Sequence, residues 1–203
     1  MTNQPLTSHG LLFVLSAPSG GGKDSVLQGL QKLGVPLQVS VSVTTRPPRD
    51  GEVNHKEYHF ISQADYDALV AQDELLEHAV VHGNSYGVPR QPVREWLAAG
   101  KDVLLKIDVQ GANTIRQKVP HAIFIFLAPE SVEELVERLQ ARRTESAADL
   151  ARRLADASQE LAQQDWYDYR VVNRQGHLDA AVEQVRAIII AEHCRVRQHH
   201  AEV

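Results

Sequence analysis

An apolar run, Leu11–Ser16 (LLFVLS), leads straight into Ala17-Pro18-Ser19-Gly20-Gly21-Gly22-Lys23-Asp24-Ser25. Helical spacing begins at once beyond it, with Val26, Leu27, Leu30 and Leu33 on one side. A run without polar interruption reads as a strand buried on both faces, the kind a covered parallel sheet contains. Glycines let consecutive backbone N–H groups turn inward, and the following helix adds the positive end of its dipole. A lysine at the end of such a loop reaches the outer phosphates of a nucleotide. Strand, glycine-rich loop and helix in this order predict a phosphate-binding loop at the C-terminal edge of a parallel sheet. Two positions depart from the strict pattern: Ala17 stands at the first glycine, and Asp24 follows the lysine, leaving the hydroxyl role to Ser25. A carboxylate there repels a triphosphate unless magnesium or its water shell intervenes.

The rest of the chain continues the alternation. Val103–Ile107 and Ala122–Leu127 read as buried strands and Tyr169–Asn173 as a shorter one. Helical patterns fall at Pro92–Ala99, Val132–Leu139 and Ala147–Leu161, and a long one runs from Leu178 through Ile189. Strands alternating with helices predict an α/β fold with helices on both faces of a parallel sheet. Residues 39–89 break the rhythm and read as an inserted lobe. In it Val39, Val41 and Val43 alternate with serines, Ser62 and Asp65 open a helix, and Glu77 sits inside the apolar strand Leu75–Val81. Residues around Arg138–Arg153 read as a second, basic insertion.

Composition narrows the function classes. With 203 residues, one domain is expected, and 21 Lys and Arg against 26 Asp and Glu give a net charge of −5. That balance supplies no general field for a polyanion, so no nucleic-acid partner is expected. The longest apolar stretches are too short to cross a bilayer, so no membrane partner is expected either. The start MTNQPLTSHG lacks the basic residues of a signal peptide, and the lone Cys194 excludes an internal disulfide; both fit the cytoplasm. His193, His199 and His200 near Cys194 lack the paired spacing of a zinc motif and read as a solvated tail.

The loop Ser16–Lys23 resembles the phosphate loop of guanylate kinases, and further segments follow in the family's order. Val41–Val53, with its Thr-Thr-Arg-Pro-Pro-Arg core, is similar to the family's GMP-lobe signature. Gly83–Gly87, Ile107–Ala112, the arginines between 138 and 153, and Val171-Val172-Asn173 complete the likeness. The resemblance implies a nucleoside monophosphate kinase fold: a five-stranded parallel core (10–38, 90–133 and 160–203), a GMP lobe (39–89) and a helical lid (134–159). It implies transfer of phosphate from ATP to GMP with magnesium, by a monomer or homodimer. Ala17, Pro18, Ser19, Gly20, Gly21, Gly22, Lys23, Asp24, Ser25 and Asn173 would bind ATP. Ser42, Arg46, Arg49, Tyr58, Glu77, Tyr86 and Asp108 would bind GMP or dGMP. Lys23, Arg46, Arg138, Arg142 and Arg153 would carry the chemistry. No direct metal ligand is expected; Asp24, Ser25 and Asp108 would reach the metal through water.

Elementary chemistry supports these roles. Two arginines three apart on a proline-stiffened loop can clamp one phosphate. A carboxylate embedded in an apolar strand needs donors, and guanine offers adjacent N1–H and N2–H. Phosphoryl transfer asks chiefly for positioning and neutralisation of charge. Val88, Lys106 and Arg143 depart from the family pattern, and Val88 is expected to remove a hydrogen bond to guanine. Lys23-Asp24-Ser25 also resembles the loop of ribose 1,5-bisphosphate phosphokinases, which makes a sugar-phosphate kinase the first alternative. A guanylate-kinase-like binding module is the second; such modules lack the phosphate loop and lid arginines kept here.

Overall fold

The computed structural model describes residues 9–49, 51–81, 83–140, 155–196, 201 and 203. Leu12–Ser16 forms β1, buried along its whole length at the centre of a five-stranded sheet. Its neighbours are β7 (Asp102–Ile107) and β8 (Ile123–Ala128); β2 (Leu37–Val39) pairs outside β7 and β9 (Tyr169–Val172) outside β8. All pairings are parallel, with Val14 level with Leu105 on one side and Phe124 on the other. The order β2-β7-β1-β8-β9 places β1 between strands that arrive late in the chain, so the loop after β1 opens at a crevice of the sheet's C-terminal edge.

Two helices, α1 (Lys23–Lys32) and α7 (Leu178–His193), cover one face, where Val26, Leu30 and Val185 pack on Phe13, Leu15 and Leu104. On the other face α3 (Arg90–Ala98) and α4 (Val109–Lys118) bring Val93 and Ile115 against Val14, Leu105 and Phe124. Burying each such side chain is worth about 1.5–3 kcal/mol, which explains why strands covered on both sides read as unbroken apolar runs. Helix α1 is shorter than its spacing suggests: it ends at Lys32, and Leu33 is 49% exposed.

A second sheet, ordered β4-β3-β6-β5, is made of His59–Phe60, Val43–Thr44, Asn84–Pro89 and Leu75–Val81. Helix α2 (Gln63–Ala71) packs Tyr66 against Val43 and Leu75, and Ser62 caps it by accepting from the Asp65 N–H at 3.1 Å. The alternation at 39–43 is not one strand. Val39 ends β2 in the first sheet, Val43 begins β3 in the second, and Ser40–Ser42 carry the chain across. The crossing residues stay paired: Ser40 N–H donates to Leu104 O, and Ser42 O accepts from His59 N–H. Helix α5 (Val132–Gln140) and α6 (155–161) follow β8. No described helix is long and apolar enough to cross a membrane.

Candidate active site

The turn between β1 and α1 is shaped by glycine. Gly20 and Gly22 have φ of 83° and 92°, the left-handed region that side chains rarely adopt. Gly21 N–H donates to Pro18 O at 2.9 Å, closing the turn. Asn173, just past β9, is 4% exposed; its Nδ2 donates to Gly21 O at 2.9 Å, and a Cβ on Gly22 would sit 2.3 Å from that nitrogen. Asn173, expected to bind ATP, thus grips the backbone of the phosphate loop. Arg138, on α5, donates to Asn173 O at 2.7 Å and pairs with Glu134, which sets a cation against the same loop. Arg142, Arg143 and Arg153 lie outside the described residues.

Inside the loop, Lys23 donates its ammonium to Ala17 O at 3.0 Å. Burial pushes its pKa down, and the carboxylates of Asp108, Glu160 and Asp24 oppose that. Ser19 N–H donates to Glu160 Oε2 at 3.2 Å, so a carboxyl group already sits on one of the loop's amides. Burial holds the Glu160 carboxyl above its usual range.

Across the cleft, the second sheet presents Arg46. Thr44 Oγ1 accepts from Arg46 N–H at 3.2 Å while donating to Ser85 O, which fixes the loop to β6. Arg46 Nη2 donates to both carboxylate oxygens of Glu52 at 2.9 and 3.0 Å, and Glu52 also accepts from Arg49 N–H at 2.7 Å. Glu52 therefore organises both arginines of the loop. The guanidinium carbon of Arg46 lies 5.6 Å from the Tyr58 ring centre, and Tyr58 meets Tyr86 edge-on at 5.9 Å. A cation and two phenols converge here, a donor set suited to a phosphate.

Glu77, on β5, is 2% exposed. Burial, then the nearby Asp108, raises its pKa from an ordinary 4.5 to about 8, and Lys118 opposes this. The carboxylate lies against the first turn of α4, where a Cβ on Gly111 would come within 2.6 Å of Oε1. Asp108 caps that helix by accepting from Gly111 N–H at 2.7 Å. The folded protein binds the Glu77 proton more tightly than the unfolded chain does between about pH 4.5 and 8. Stability accordingly falls as pH rises through that window and levels off above it. Glu77→Gln should flatten the dependence and be more stable than wild type at pH 9 by about 2–4 kcal/mol. Thermal unfolding from pH 5.5 to 9 without nucleotide checks this; parallel curves for the two proteins would contradict it.

These groups open onto one cleft of about 420 Å³. It gathers the phosphate-loop residues except Pro18 with Ser42, Arg46, Arg49, Tyr58, Glu77, Tyr86 and Asp108; Asn173 and Arg138 stand outside its wall. The sequence reading missed Glu160 and Asn84, which line it as well, and had Lys106 only as a departure. Val88, expected to cost a guanine hydrogen bond, is 1% exposed and packs with Leu76 and Val93, and the neighbouring Gly87 lines the cleft. In the C-terminal region His193 bonds Asp102 at 2.6 Å, and the described residues contain no cluster suited to a metal ion.

The family model for guanylate kinase matches residues 10–192. A guanylate kinase of Lactobacillus delbrueckii subsp. bulgaricus is 46% identical over 194 residues, 95% of this chain and 94% of its own length. That of Gloeobacter violaceus is 48% identical over 181 residues, 89% and 87% of the two chains. Among solved structures, guanylate kinase from Anaplasma phagocytophilum superposes with a TM-score of 0.76 at 33% identity, covering 94% of this chain and 90% of that one. The TT1252 protein of Thermus thermophilus, 16% identical with a TM-score of 0.51 over 91% and 98% of the chains, shares the fold. A cleft with a phosphate loop on one wall and a buried carboxylate on the other is thus found in a chain that belongs to the guanylate kinase family.

Proposed function

We propose that the protein transfers the γ-phosphoryl group of ATP to GMP, releasing ADP and GDP. The observation that carries this reading is the placement of Glu77 and the Lys23 loop on one cleft. An oxygen of the GMP phosphate attacks the γ-phosphorus, the bond to the bridging oxygen breaks, and ADP leaves. The glycine loop and Lys23 hold the donor phosphates, with Asn173 fixing the loop and Arg138 adding charge at its rim. Arg46, Arg49, Tyr58 and Tyr86 hold the acceptor phosphate. Glu77 as carboxylate accepts from guanine N1–H and N2–H, with Ser42 and Asp108 beside it. Adenine presents no such donor pair.

The oxygen donors around the loop suit Mg²⁺, which keeps most of its waters and rides on the phosphates. Ser25 and Asp24 are exposed in the first turn of α1, and Asp108 faces the same cleft; through water these would hold the ion. Bound there, it neutralises phosphate charge. Residues 39–89 act as the GMP lobe and 134–159 as the lid, with Arg142 and Arg153 closing over ATP and excluding water. The cytoplasm is the proposed compartment.

Gly111→Ala should raise KM for GMP about tenfold, since the new methyl displaces the Glu77 carboxylate and loses about one charge-assisted hydrogen bond. Steady-state kinetics decide it; an unchanged KM would mean Glu77 does not read the base. The function itself is tested by ADP release with ATP, magnesium and one acceptor at a time: GMP, dGMP, AMP, UMP, CMP and ribose 1,5-bisphosphate. Turnover confined to GMP and dGMP is expected. Turnover with the sugar phosphate instead would overturn the reading, as would silence from a folded protein that still binds GMP.

A further inference from the structure

Lys106 lies near the end of β7, 82 residues from Asp24, yet its ammonium pairs with the Asp24 carboxylate. The Lys106 side chain is 12% exposed and that of Asp24 70%. A largely buried ammonium needs an anionic partner, and Asp24 supplies it from the first turn of α1, where the helix dipole favours negative charge. Lys106 has a second neighbour: its ammonium is 5.2 Å from the ring centre of Tyr58, which in turn packs on Tyr86 and Arg46. One cation therefore bridges the helix of the phosphate loop and the cluster on the opposite wall.

We propose that Lys106 is a further catalytic residue, its ammonium binding the phosphoryl group in transit between Lys23 and the Arg46–Tyr58 cluster. A triphosphate entering the loop brings its own anionic oxygens to the Lys106 ammonium, and the magnesium it carries would engage the Asp24 carboxylate through water. The Lys106 ammonium then faces phosphate oxygens in place of Asp24. The inference rests on the reading of the cleft as an ATP and GMP site.

Steady-state kinetics of the full chain with ATP, magnesium and GMP test it, with wild-type turnover read first. Lys106→Met and Lys106→Gln should each lower kcat about 100-fold while both KM values stay within about threefold. The same loss should appear when Lys106→Met is added to Asp24→Asn, because the lost contact is to substrate. A cost below about threefold in the Asp24→Asn background would overturn the proposal, leaving Lys106 as a neutraliser of Asp24. So would an unchanged kcat, or a raised KM for GMP with kcat preserved. Thermal unfolding checks each variant's fold. Should the neutral variants not fold, Lys106→Arg decides: about tenfold loss of kcat at unchanged KM supports the role, and full activity overturns it. A wild type inactive with GMP would overturn the parent reading too, whereas an active wild type with active variants sinks this one alone.

Discussion

Lys23→Met should lower kcat for GMP phosphorylation about 1,000-fold and leave GMP affinity within about twofold. Removing one preorganised donor from a developing charge costs about 10²–10³ in rate, and a buried ammonium on the transferring group belongs at the upper end. The structure holds Lys23 ready: Ala17 O fixes its ammonium, and three carboxylates oppose the loss of its proton to burial. The GMP-side groups stand apart from it, Arg46 and Tyr58 in the stretch between β3 and β4 and Glu77 on β5. Single-turnover rates with calorimetric titration of GMP check both halves. A kcat within tenfold of wild type would place the donor phosphates elsewhere.

The second large effect is expected at Glu77. Glu77→Gln preserves volume but turns one acceptor into a donor, so guanine loses one hydrogen bond and one N–H faces another N–H. With charge-assisted bonds worth about 1.5–3 kcal/mol, kcat/KM for GMP should fall about 10–150-fold. Selectivity over AMP should narrow by a similar factor. The wild-type KM for GMP should also fall about tenfold per unit from pH 6 to pH 8, since the carboxyl of Glu77 must lose its proton to accept both donors. In Glu77→Gln that slope should vanish. A retained slope would assign the titration to another group. The variant expected to be more stable at high pH is thus also the one expected to lose GMP, a cost a binding site built on a buried carboxylate carries.

What could be read in the chain itself follows from distance along it. The phosphate loop is local: strand, glycines, lysine and helix lie within about twenty residues, and each signal reinforces the next. Glu77 was legible because a carboxylate in LLEHAVV violates its surroundings. The buttress of the loop was not, since Asn173 meets Gly21 across 152 positions and Glu160 meets Ser19 across 141. Glu160 also sits in a helix with other acids, and no spacing marks it out. Asp24 and Lys106 each looked like an isolated departure; only folding shows that the two charges answer one another. The alternation at 39–43 misled because period-two patterning reports exposure to a face and not which sheet owns it.

The central claim is that one cleft seats donor phosphates at Lys23 and guanine at Glu77. Calorimetric titration with adenosine and guanosine joined by five phosphates tests it most directly, compared with the adenosine–adenosine analogue of equal length. The account predicts at least about 100-fold tighter binding of the mixed compound, most of it lost in Glu77→Gln. Equal affinity for the two compounds, or tight binding unmoved by that substitution, would contradict it.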